Sequence, residues 1–165
     1  MPELLSHRLL VVLRAEETLY TRLRDVLQEQ REVVARMDLE ALEGLTRRQE
    51  ELSDEARLLE ESRLELAGEL AASLDLPAQG TRLSEICARL GASAGELRDA
   101  HNRLVILVGV VRELLDANAM LIGSSLVDVR TTLRALGSHL PEEVTYRPGA
   151  RAPAAEAGRL VRRSA

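Results

Sequence analysis

Phenylalanine and tryptophan are absent from this 165-residue chain, and tyrosine occurs only twice. A core without large aromatics has to be filled by Leu, Val and Ala, which interdigitate in the narrow seams of helical bundles. Lysine is absent as well, so all 22 basic residues are arginine. So uniform a replacement reads as a coding bias of the source genome and carries no nucleic-acid function. Against 27 acidic residues the net charge is −5, the wrong sign for a phosphate backbone, and no basic groove with interleaved aromatics is present. Cys87 is the single cysteine, which excludes an intramolecular disulfide and gives no sign of an oxidising compartment. Long apolar runs are missing too. The longest, Leu104 to Val111, has eight residues, far short of the roughly 20 that span a bilayer. The segment Met1 to Leu13 is interrupted by Glu3, His7 and Arg8 and lacks the pattern of a secretory leader. The expectation is a soluble, cytoplasmic protein with no membrane span.

Catalytic signatures are absent in the same way. His7, His101 and His139 have no Cys, Asp or Glu partner at metal-ligand spacing. There is no glycine-rich phosphate loop, no nucleophile elbow and no His-Glu-x-x-His. No enzyme, no metal and no cofactor is therefore expected. A phosphoacceptor role for His101 would need a Lys and a small residue after it, as in histidine phosphotransfer domains. Asn102-Arg103-Leu104-Val105 follows instead, and a partly buried helix histidine is the expectation.

What is present is helical periodicity. Leu9, Leu13, Glu16, Tyr20, Leu23, Leu27, Gln30, Val34 and Met37 recur in steps of four and three. So do Leu42, Leu45, Gln49, Leu52, Ala56, Leu59, Arg63, Leu66 and Leu70. Both series have the 3.5-residue period of a left-handed seam. The five-residue step from Met37 to Leu42 breaks the phase, and Asp38 at the break suits an N-cap. Helices over about 3–36 and 39–74 follow, joined by a kink or tight turn, with one continuous stuttered helix as the alternative. Leu76-Pro77-Ala78-Gln79-Gly80 breaks the pattern. Thr81 is then expected to cap a short helix through Leu90, with Leu83, Ile86, Cys87 and Leu90 on one side. Gly91 to Gly95 is a second weak point, with Ser93 as a possible cap. From about Glu96 to His139 a proline-free seam runs through Leu97, His101, Leu104, Val108, Val111, Leu115, Asn118, Ile122, Ser125 and Val129. No stretch alternates with period two, so strands are not expected. The fold class is all-α: an antiparallel helical bundle with long coiled-coil-like helices over 1–140 and a disordered tail over 141–165. The tail is rich in Pro, Gly and Ala, carries five arginines against three glutamates, and has too little apolar bulk to order itself.

The last seam holds the most informative stretch, Leu114 to Leu126. Asn118 and Ser125 lie in its apolar stripe, although such residues compete for backbone hydrogen bonds and lower helix stability. Polar residues there can set helix register or align a partner helix. They read equally as residues satisfied inside their own bundle. The stripe is widened by Leu107, Leu114, Leu121, Leu126 and Leu133, and a wide stripe needs two helices against it, or one helix and a partner.

The pattern Asn118-x-x-Leu121-Ile122-x-x-Ser125-Leu126 in a long last helix resembles the FlgN family of flagellar export chaperones. Glu17-Thr18-Leu19-Tyr20 with Leu23 and Leu27-x-x-Gln30 is similar to the family's first helix. Asp38-x-Glu40-x-Leu42-x-x-Leu45-x-x-x-Gln49-Glu50-x-Leu52, with Arg63 after it, is similar to its second. The likeness covers roughly residues 3–149. It implies a bundle that binds the C-terminal helices of hook–filament junction proteins, FlgK- or FlgL-like, and prevents their premature assembly. It also implies delivery to the export gate protein FlhA, with Tyr146 in Tyr146-Arg147-Pro148-Gly149 as the docking residue, although Pro148 and the extension to Ala165 depart from the family's tail. The client would lie on Leu115, Asn118, Leu121, Ile122, Ser125, Leu126 and Val129, with Gly123 permitting close approach. The protein would act as a monomer or homodimer. A structural coiled-coil module that oligomerises through its own seams is the alternative.

Overall fold

A computed structural model describes residues 1–137, and every long element in it is helical. Four helices follow one another: α1 (Pro2–Ala35), α2 (Leu39–Ser73), the short α3 (Leu83–Leu90) and α4 (Gly95–Gly137), with a 3₁₀ turn, Gly91–Ala94, between the last two. There is no strand among the described residues. Two units can be distinguished, Met1–Leu126 and a second that begins at Val127, of which residues 127–137 are described.

The break between α1 and α2 is a tight turn rather than a stutter. The N–H of Met37 donates to the Val34 carbonyl at 3.0 Å, and that of Asp38 to the Val33 carbonyl at 3.2 Å. That pair of bonds closes a helix end when the intervening residue is left-handed, and Met37 has φ 57°. Met37 is thus thrown off the seam and is 55% exposed, a correction to its place in the first apolar series. Asp38 begins α2 as its N-cap, its carboxylate accepting from the Ala41 N–H at 3.1 Å. The end of α2 repeats the device. The N–H of Leu76 donates to the Ala71 carbonyl at 2.9 Å and that of Asp75 to the Ala72 carbonyl at 3.2 Å, with Asp75 at φ 59°. The following turn packs back on the helix at Gly68, where a Cβ would stand 3.1 Å from the Ala78 carbonyl oxygen.

Two expected caps are corrected. Thr81 turns its hydroxyl back to the Pro77 carbonyl, which closes the turn and leaves Arg82 as the uncapped N-cap of α3. The Ser93 hydroxyl likewise donates to the Leu90 carbonyl at 2.9 Å and caps nothing.

In the first unit, α1 and α2 form an antiparallel hairpin, since Glu16 meets Arg63 and Gln30 meets Gln49. α4 runs parallel to α1: Arg14 pairs with Glu96, Glu17 with Arg103, and Leu27 with Asn118. α4 is therefore antiparallel to α2. The backbones of α1 and α2 approach closely, whereas that of α4 stays farther from both. Its hold on the hairpin depends on side chains. The lower core gathers Leu9, Leu13, Leu70, Ile86, Cys87, Leu97 and Leu104. The upper core gathers Leu19, Leu23, Leu27, Leu52 and Val111. The Glu16–Arg63 pair lies between the two cores in sequence order. A second polar layer follows, in which Gln30 donates to Gln49 at 2.8 Å.

In the second unit the described residues, 127–137, are the last turns of α4, and Val127, Leu133 and Leu136 are exposed there.

Candidate protein-docking surface

α4 reaches 43 residues because nothing interrupts it. Proline is absent, and its Ser and Thr hydroxyls fold back on carbonyls three or four residues earlier. At heptad spacing Leu97, Leu104, Val111 and Asn118 form its buried line. Buried aliphatic positions thus hold the helix down as far as Val111, and Asn118 continues the same line.

Asn118 is 4% exposed and donates its amide N–H to the Leu27 carbonyl at 2.8 Å. It is engaged inside its own bundle, so the free protein does not offer it as contact surface. Its Oδ1 is buried with no partner. A leucine could not make the bond to Leu27, so the residue fixes α4 against α1 at one register.

Around Asn118 the cover thins. Leu121, Ile122 and Ser125 are half-buried, Leu115 is 36% exposed and Leu126 is 53% exposed. Ser125 donates to the Leu121 carbonyl at 3.0 Å, so its side chain is spent locally. A Cβ on Gly123 would meet nothing within 4 Å; the position is open to an approaching chain. By helical geometry Leu115, Ile122 and Leu126 share one edge of α4, and Leu114, Leu121 and Ser125 the other. Val129, the last of the expected contact residues, belongs to the second unit and is exposed. Tyr146, His139 and the whole segment 141–165 lie outside the described residues.

Sequence reasoning passed over several apolar residues that the fold leaves open. Met120 is 77% exposed on the face of α4 away from the row, and Val105, Ile106 and Val110 are exposed lower on the helix. The signal that could have found them is the width of the stripe: apolar residues on α4 outnumber the positions two neighbouring helices can cover.

A separate polar centre lies lower, where α1, α2 and α4 meet. Glu16 accepts from Arg63 Nε at 3.1 Å, and Arg63 also donates to Glu60 at 3.4 Å. Tyr20 and His101 line the same cavity, of about 350 Å³. Burial raises the Glu16 carboxyl above its ordinary range against the pull of Arg63. Burial, aided by Arg63, lowers His101, whose side chain is half-buried on α4. Cys87 is buried and its thiol is pushed up by burial, as befits a small core residue. Among the described residues no group of three or more His, Cys, Asp or Glu side chains could hold a metal, and no helix is long and apolar enough to cross a membrane.

The family model described as "FlgN protein" matches residues 1–154. No curated protein and no solved structure matches the chain.

Proposed function

The chain belongs to the FlgN family, and from that premise we propose that it is a flagellar type III export chaperone. In this reading it acts in the cytoplasm without catalysis, holding the C-terminal helices of FlgK- or FlgL-like hook–filament junction proteins until export. The observation that carries the proposal is the half-open apolar row Leu115, Ile122 and Leu126 on the edge of α4. A client helix would lay its own i, i+3, i+4 and i+7 anchors along that row. Leu121 and Ser125 flank it. Asn118 serves the site indirectly, by holding α4 in register beneath the row.

A weak second contact would pass the loaded chaperone to the export gate, FlhA, through Tyr146. A single aromatic anchor suits a weak, reversible handover.

Isothermal titration of the chain with the C-terminal helical peptide of its own junction protein tests the reading. Binding in the micromolar range or tighter is expected, and Tyr146→Ala should leave it unchanged while weakening capture of the cytoplasmic domain of the gate. A chain that sediments as a stable oligomer and takes up no junction peptide is a coiled-coil module and no chaperone.

A further inference from the structure

Helix packing does not account for the centre at Glu16. This side chain is 2% exposed, and only one of its carboxylate oxygens is used. Oε1 takes the bond from Arg63, while Oε2 is buried without any partner. An ionised carboxylate has about four lone-pair sites to fill, and leaving a buried one empty costs free energy unless something else fills it. Glu16 and Glu60 share the single guanidinium of Arg63, so the two carboxylates have one cation in ion-pair contact between them. Neither neighbour supplies a second cation. His101 is kept neutral by burial and by Arg63, and Arg112, exposed at the rim, makes no ion pair with either carboxylate.

The cavity above Glu16 has the shape for a long basic side chain. Leu104 and Val108 give it an apolar wall, and Val105, 57% exposed, marks its outer edge. The methylene stem of an arginine or lysine packs along such a wall while the charged head reaches a polar floor. Tyr20 and His101 can each accept a further bond there. The cavity also lies on the proposed client track, since Leu115 and Ile122 follow Val108 by seven and fourteen residues on the same edge of α4.

We propose that this cavity receives an arginine or lysine side chain of the helix that docks along α4, its head donating to Glu16 Oε2. The proposal rests on the chaperone reading and adds to it a requirement: the client helix carries a basic residue beside its aliphatic anchors.

The test uses the full chain, its Glu16→Gln variant and two probes. With n-butylguanidinium chloride, amide chemical shifts are expected to move locally around Glu16, Tyr20, Arg63 and His101. Glu16→Gln should weaken that binding about tenfold, and Arg112→Ala, which removes a competing charge from the rim, should strengthen it. With the junction-protein peptide, replacing one particular basic residue by Met should cost the wild-type chain about tenfold in affinity and cost Glu16→Gln nothing. Should Glu16→Gln fail to fold, the peptide series on the wild-type chain alone decides, because the proposal requires one basic residue to matter far more than the others. A wild-type chain that binds no junction peptide overturns the chaperone reading. Peptide binding that is indifferent to every basic residue, with no localised butylguanidinium shifts, overturns this proposal alone.

Discussion

Asn118 occupies a position where a leucine would pack, and it brings an acceptor that nothing satisfies. Its one bond, to the Leu27 carbonyl, fixes alignment at a cost in stability. Asn118→Leu is therefore expected to raise the unfolding free energy by about 1 kcal/mol, the penalty of an orphaned buried acceptor being roughly 1–3 kcal/mol. A urea-unfolding midpoint that falls would show that the bond outweighs the orphan. His101 and Glu16 give opposite pH dependences from neighbouring positions. His101 is lowered from its ordinary 6.5, so below 6.5 the unfolded chain binds a proton that the bundle refuses, and stability drops as pH falls. Glu16 is raised above 4.5, so the bundle takes up its proton first and acidification relieves the cost of burying the charge. As pH falls from neutral, His101→Gln should gain on the wild type while Glu16→Gln loses ground to it. Differences that stay constant with pH would contradict both assignments. That Asn118 was unusual was legible, because polar residues stand out in an apolar seam, whereas Glu16 stood in its series with nothing to mark it out. Their partners were not legible, since a backbone carbonyl leaves no mark on sequence and Arg63 lies 47 residues away.

At the scale of the elements, the two ends of the α1–α2 hairpin are set by different chemistry. Asp38 was legible as a cap because a short acidic residue at a phase break has one obvious partner, the N–H two or three residues on. Asp38→Ala should cost about 1 kcal/mol. The preceding residue was not legible. Met37 takes the left-handed conformation that glycine normally supplies, and apolar periodicity had placed it in the seam. Met37→Gly should stabilise the protein by about 1 kcal/mol, because the strain of a Cβ at positive φ disappears and an exposed side chain gives up little burial. A lowered melting temperature would mean that Met37 packs in the turn more than its exposure allows. Thr81 and Ser93 were misread for one reason: a hydroxyl bonds backward to a carbonyl as readily as forward to a helix N–H, and sequence does not separate the two.

On the scale of the first unit, the helices and their boundaries followed from periodicity, while the coverage of α4 did not. A seam pattern states which residues seek apolar contact, and the number of neighbouring helices decides which of them find it. Here the close α1–α2 hairpin covers the line through Leu97, Leu104 and Val111 and leaves Leu115, Ile122 and Leu126 half-open. Truncating all three to Ala should cost about a hundredfold in client affinity, at roughly 1 kcal/mol for each partly exposed anchor. The melting temperature should change little by comparison with a core truncation such as Leu27→Ala, expected to cost about 2–5 kcal/mol. The most direct test is hydrogen exchange across the chain, with and without the C-terminal helical peptide of the junction protein. Added protection is predicted over residues 112–126 of α4 and in the turns of α1 and α2 around Glu16 and Arg63. Protection that leaves α4 untouched, and falls instead on the far face of the α1–α2 hairpin, would contradict the account.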